Sequence, residues 1–300
     1  MKKRLILFLL RLFATLPLSV HHALAHFVGW MARVVVGYRK DVVKQNIADS
    51  FPELSVKERE IILKDFYLHL GQLICEFIWF GGSSTKRIKE SEILRFSNPE
   101  EFKRLHEVAP STVLLCSHFG NWELFAGAFD LEPTGTLNSD NSVVVYRKLK
   151  DKVWDEIFRE NRTACLTKEG KTFDNYIESA SIMRFVLEHK DKKMFYYMNT
   201  DQWPYFKAPS YIEVSFMGRK TRTLSGAAKM AQKLHFAVSY LAICRREDQS
   251  GYDVKLSTIC DDASQMSLQQ IMDEYYTLLE NDIRQDPGNY IWSHKRWKKY

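Results

Sequence analysis

Between residues 55 and 285 the chain alternates short apolar runs with longer stretches whose apolar residues recur every three or four positions, which restricts it to few architectures. Val113-Leu114-Leu115-Cys116 and Val143-Val144-Val145-Tyr146 are too short for buried helices and lack polar alternation, so they read as strands covered on both faces. Met194–Met198, Phe236–Ile243 and Tyr252–Ile259 also read as strands. Ser55-Val56-Lys57-Glu58 is a capping-box pattern that opens a predicted helix over 55–80. Further helices are predicted at 122–129, 151–160, 173–189 and 224–234. A last one follows Leu268, Ile271, Met272, Tyr275, Leu279 and Ile283. Strands and helices in this order give an α/β fold, with a mixed, largely parallel central sheet flanked by helices.

The first 45 residues differ. From Leu12 to Ala32 there is no Asp, Glu, Lys or Arg, about the length that crosses a bilayer core. Pro17, His21, His22 and His26 interrupt the run, and Arg11 separates it from the apolar stretch Leu5–Leu10. Three readings stand: a helix or broken helical pair lying in the membrane interface, a single span, and a secretory signal ending at Ala23-Leu24-Ala25. Basic residues on both flanks, Lys2-Lys3-Arg4 and Arg33, Arg39 and Lys40, leave the orientation of a span open. The chain therefore divides into a hydrophobic, membrane-associating segment at 1–45 and a catalytic domain at 46–300.

Net charge of +6 favours acidic partners such as a membrane surface or an acidic protein. Nucleic acid is excluded as the expected partner, because no zinc-finger, RRM or long basic-helix pattern is present. Five scattered cysteines without a C-x-x-C pair argue against a thiolate zinc site and a disulfide framework. There is no G-x-S-x-G elbow and no G-x-G-x-x-G, and Gly170-Lys171-Thr172 lacks the earlier glycine of a P-loop, Cys165 standing in its place.

The segment His118-Phe-Gly-Asn-Trp-Glu123 carries the chemistry. It falls where a predicted strand turns into a helix, the usual place for a site in an α/β fold. His118 closes the strand, Gly120 permits a tight turn, and Glu123 is placed to fold back onto the imidazole. A carboxylate on one ring nitrogen fixes the tautomer and raises the basicity of the other.

The spacing Ser117-His118-Phe-Gly-Asn121-Trp-Glu123 resembles the H-x-x-x-x-D/E motif of the lysophospholipid acyltransferase superfamily, and in particular its lipid A biosynthesis (lauroyl/myristoyl-type) branch. Similar blocks follow in order: Asn46 with Phe51-Pro52-Glu53-Leu54-Ser55, Val145-Tyr146-Arg147, Thr200-Asp201-Gln202, Phe216-Met-Gly218 with Thr223 and Gly226, and Pro287, Tyr290, Trp292, His294 and Arg296. The chain departs from the branch at Lys148, where proline is common, and at Trp203-Pro204, where the Asp-Gln turn usually has glycine.

The resemblance implies a membrane-associated O-acyltransferase of lipopolysaccharide biosynthesis, needing no metal or other cofactor. It would move a fatty acyl chain from an acyl carrier protein thioester to a hydroxyl of a lipid A precursor. His118 would be the general base and Glu123 its orienting partner. Asn121, Arg147 and Asp201 would form the substrate side: Asn121 positioning the pair or donating to an oxyanion, Arg147 binding phosphate, and Asp201 supporting by hydrogen bonds. Partners would be the carrier protein, a membrane glycolipid acceptor and the membrane surface, at the bacterial inner membrane with the site facing the cytoplasm. Another glycolipid or aminolipid acceptor, a non-catalytic lipid-binding protein and an exported hydrolase are the competing readings. The aromatic and basic stretch Trp292–Tyr300 reads as an interfacial or carrier-docking segment.

Overall fold

The computed structural model of the chain describes residues 2–204, 208 and 210–298. Helices α1 (Lys2–Ala14) and α2 (Leu18–Trp30) lead through a π-helical turn at Met31–Val35 into α3 (Lys40–Ser50) and the long α4 (Val56–Gly82). There follow α5 (Thr85–Ser91), β1 (Leu94–Phe96), α6 (Pro99–Val108), β2 (Thr112–Cys116), α7 (Trp122–Phe125) and β3 (Ser142–Tyr146). Next come α8 (Lys152–Arg162), α9 (Ala164–Lys168), β4 (Tyr176–Glu178), α10 (Ile182–Glu188) and β5 (Phe195–Asn199). The hairpin β6 (Tyr211–Phe216) and β7 (Arg219–Leu224), then α11 (Gly226–Leu234), β8 (Ala237–Arg245), β9 (Tyr252–Cys260) and α12 (Leu268–Gln285) complete the order.

Seven strands form one sheet in the order β1-β9-β8-β2-β5-β3-β4. Every neighbouring pair is parallel except β8 with β9, so the sheet is mixed and largely parallel, as the alternation implies. Strand β2 shows why it needs cover on both sides. All five of its residues are buried; Val113 and Leu115 enter one apolar cluster, while Leu114 and Cys116 enter the other. Residues of α3, α11 and α12 fill the first cluster, residues of α6, α7 and α9 the second, and α4 contributes to both.

The Ser55 capping box forms as read: the hydroxyl accepts from the Glu58 N–H at 3.3 Å and the Glu58 carboxylate accepts from the Ser55 N–H at 2.7 Å. Two predicted helices are shorter than expected. The segment at 173–189 splits into the edge strand β4 and α10, because three residues pairing with β3 leave too short a run to show a period of two. The helix at 122–129 is a single turn, Trp122–Phe125, followed by a 3₁₀ turn at Phe129–Leu131. Strand β1 and the β6–β7 hairpin, which lies outside the main sheet, were not anticipated.

Among the described residues no single helix is long and apolar enough to cross a membrane; Lys3–Ala14 and Leu18–Val35 meet that test only together, bent by 115°. Helix α2 is not peripheral. His21, Ala25 and Gly29 share one face and are buried. A Cβ on Gly71 would stand 2.1 Å from the Ala25 carbonyl oxygen, and one on Gly29 would stand 2.3 Å from that of Tyr67, so glycines alone permit this approach of α2 to α4. Leu5, Phe8, Leu9 and Leu12 of α1, with Phe27, Trp30 and Val34–Val36, remain exposed. The boundary expected near residue 45 falls inside α3, and Ala25, the end of the possible signal, is fully buried.

Candidate active site

The site is assembled by strand register. In the parallel pair β2–β5, Cys116 lies opposite Asn199, so the residues two places beyond each strand emerge side by side. These are His118 and Asp201. The Thr200 N–H donates to the Cys116 carbonyl at 3.1 Å and keeps the two chain ends together past the sheet. The Asp201 carboxylate then grips His118 twice, accepting from the backbone N–H at 3.0 Å on Oδ2 and from Nδ1 at 2.7 Å on Oδ1. Asp201 is fully buried. Burial alone would raise its carboxyl, but the electrostatic pull of His118 and the two hydrogen bonds outweigh that and hold it below the ordinary carboxylate range.

A carboxylate can only accept, so Nδ1 carries the proton and Nε2 presents a lone pair. The Gln202 side-chain nitrogen lies 3.1 Å from Nε2 and donates to it. It therefore covers the ring nitrogen that Asp201 leaves open.

Glu123 stands elsewhere than the sequence suggests. Its carboxylate accepts two hydrogen bonds from Arg162 of α8, at 2.6 and 2.8 Å, and one from the Trp122 indole at 3.1 Å. The Arg162 guanidinium also bonds the Tyr176 hydroxyl. The carboxylate bonded to the imidazole is thus that of Asp201, and Glu123 reaches His118 through Trp122, whose ring lies edge-on to the imidazole. The physical reason is the cap of α7. Asn121 is the N-cap and its Oδ1 accepts from the Glu123 N–H at 3.3 Å, which starts the helical turn and carries the Glu123 side chain toward α8.

Asn121 is fully buried, and its Nδ2 donates to Glu76 of α4 at 2.7 Å. Both ends of its amide are bonded within the protein, so it positions the turn. Gly120 has φ +70°, and a Cβ there would stand 1.8 Å from the Ile243 carbonyl oxygen; no other residue fits this turn. Arg147 is exposed one residue past β3, two strands from His118 and roughly 10 Å across the sheet. It lies at the same edge of the sheet as the imidazole.

The C-terminal segment folds onto the same turn. The Gly120 N–H donates to the Asn289 carbonyl and the Ile291 N–H to that of His118. Asn46 donates to the carbonyls of Trp292 and His294, which joins the first and last of the sequence blocks. Arg296 is buried and donates to Thr221, to the Arg222 carbonyl and to the Tyr276 hydroxyl. The Tyr276 hydroxyl is bonded to that of Thr223, which donates to the carbonyl of Thr200, next to Asp201. The expectation of an interfacial segment is corrected here: Trp292 and Arg296 are core residues, because cation–π contacts and backbone carbonyls satisfy the arginine inside. Lys295 and Lys298 are exposed, and Lys299 and Tyr300 lie outside the described residues. His294 is near enough to Asp201 and His118 to sense both; burial pushes its imidazole down to about 4, so it stays neutral beside the pair.

Sequence reasoning brought His118, Asn121 and Asp201 to one place, and missed Gln202 as a contact of the base, Trp122 as its wall and Arg162 as the partner of Glu123. Only Gln202 and Trp122 left a signal, by lying inside quoted blocks.

The family described as "Bacterial lipid A biosynthesis acyltransferase" matches residues 3–299. A protein of Haemophilus influenzae named "Lipid A biosynthesis acyltransferase" is 24% identical over 294 residues, covering 94% of this chain and 86% of its own length. A seven-stranded α/β frame, a histidine–carboxylate pair at its strand ends and a match that runs from the first helix to the last described turns lead to one statement: the chain belongs to the bacterial lipid A biosynthesis acyltransferase family.

Proposed function

We propose that the protein is a membrane-associated O-acyltransferase that moves a fatty acyl group from an acyl carrier protein thioester to a hydroxyl of a lipid A precursor, with His118 as general base. The observation that carries the reading is the 2.7 Å contact between His118 Nδ1 and the buried Asp201 carboxylate at the ends of paired strands. Asp201 holds the imidazole so that Nε2 faces the reacting hydroxyl. Nε2 takes the hydroxyl proton as the oxygen attacks the thioester carbonyl. The tetrahedral adduct then expels the thiolate, which recovers the proton from the imidazolium and leaves as the free thiol. No bond to the enzyme forms at any stage, and a positioned base of this kind contributes about 10²–10⁴ in rate.

Glu123 supports the base indirectly, by fixing Trp122 against the imidazole. Arg147, at the same edge, suits a phosphate of the acceptor because a guanidinium is planar and permanently charged. The exposed apolar residues of α1, α2 and the following turn suit an interfacial seat at the cytoplasmic face of the inner membrane, with the +6 chain drawn to anionic headgroups. An acidic carrier protein fits the same charge.

Mass spectrometry of lipid A from cells with and without the gene tests the reading. Loss of one secondary acyl chain, restored by wild type but not by His118→Ala, is the expected result. Unchanged lipid A, with a different acylated glycolipid or aminolipid missing, would move the acceptor; normal thioester turnover by purified His118→Ala would overturn the mechanism.

A further inference from the structure

Glu76 is the only Asp, Glu, Lys or Arg between residues 66 and 82, in the second half of α4. It is 1% exposed. Its Oε2 accepts from Asn121 Nδ2 at 2.7 Å and from the Tyr252 hydroxyl at 2.9 Å, and its Oε1 accepts from His22 Nε2 at 3.1 Å. A carboxylate so deep is expensive unless paired, and an apolar residue of similar size would fill the place at less cost. Packing therefore does not account for it.

What the carboxylate does is dictate an orientation. The Asn121 amide can be turned two ways, with donor and acceptor exchanged. Because Glu76 only accepts, it draws Nδ2 toward itself and leaves Oδ1 toward the Glu123 N–H, where it caps α7. The turn so fixed carries His118 at one end and Trp122 and Glu123 at the other. We propose that Glu76 is a positioning residue for the catalytic turn, acting through Asn121, with Tyr252 and His22 holding it in place. The proposal rests on the acyltransferase reading of His118 for its kinetic effect, though not for its structural one.

The test uses the full chain in detergent, with hydrogen exchange of residues 117–126 measured beside steady-state transfer from an acyl carrier thioester. Glu76→Leu is expected to raise exchange in 117–126 while leaving α12 protected, and to lower kcat at least about tenfold with KM little changed, as misplaced catalytic groups do. Asn121→Asp sets two carboxylates face to face and is expected to do the same. The double variant Glu76→Gln/Asn121→Asp restores a donor opposite an acceptor and is expected to recover most of the protection and of kcat, which a loss of packing would not. A folded Glu76→Leu with wild-type exchange and kcat, or a double variant no better than Asn121→Asp, would overturn the proposal. If Glu76→Leu does not fold, the Asn121→Asp pair decides. If the wild type transfers no acyl group, the acyltransferase reading fails and the exchange arm alone decides this one.

Discussion

Trp122 stands edge-on to His118, with ring centroids 4.8 Å apart and planes at 68°, and its indole N–H is committed to Glu123. The imidazole therefore has a carboxylate on one side and, on another, an aromatic wall that a second carboxylate holds in place. The two acids have separable duties.

Asp201→Asn is expected to cost about 10²–10⁴ in kcat, because the amide no longer fixes the Nδ1–H tautomer. Glu123→Gln is expected to cost less in kcat and more in stability, about 2–3 kcal/mol, since Arg162 loses its partner in a largely buried site. Initial rates with urea unfolding of both variants check the split. Equal loss of rate with no difference in stability would contradict it.

Gln202 donates to the lone pair that the proposed mechanism needs. Gln202→Ala is expected to speed carbethoxylation of His118 at Nε2 severalfold, because the reagent no longer competes with an intramolecular donor. Peptide mapping after a timed exposure reads this directly, and an unchanged rate would mean that Gln202 does not cover the base.

One buried and one half-buried histidine set an acid limit on stability. Burial pushes the imidazole of His69 down to about 3 and that of His294 to about 4, whereas in the unfolded chain they titrate near about 6.5. Between those values the unfolded state binds more protons, so stability is complete above pH about 6.5 and falls as pH drops toward 4. Melting temperature against pH checks the sign. His69, fully buried in α4, is the sharper probe: His69→Leu is expected to flatten the slope.

Arg296→Met is expected to unfold more easily by about 2–4 kcal/mol, because it leaves the Tyr276 and Thr221 hydroxyls and a backbone carbonyl without their donor. Arg296→Lys is expected to restore little, as an ammonium cannot span the three acceptors. Thermal unfolding of the two variants gives the answer.

Much of the frame was legible because the five longer strands of the central sheet, β2, β3, β5, β8 and β9, carry their own local signal. Val113–Cys116 and Val143–Tyr146 are apolar throughout, and α12 shows its stripe without help from the rest of the chain. The His118–Asp201 contact had no such signal, since it depends on the register of β2 against β5 across more than eighty residues. Glu123 was misplaced in its contact, though not in its position, because the Asn121 cap turns its side chain toward an arginine that no motif marks. The mixture of tryptophan and arginine near the C-terminus has two physical uses, at an interface or in a cation–π core, and composition does not choose between them.

The glycine-mediated seat of α2 on α4 has a mechanical consequence. A leash lets an enzyme swing above the surface that holds it; a keel does not. With Gly29 and Gly71 bringing backbones into contact, the helices that expose the apolar face are continuous with a rod about 40 Å long that runs under the catalytic turn. A membrane surface that took up Leu5, Phe8 and Trp30, as proposed above, would therefore hold the whole body at one tilt, with His118 at one height above it. An acceptor lipid would then have to come up to the imidazole, since the body could not tip down to meet it.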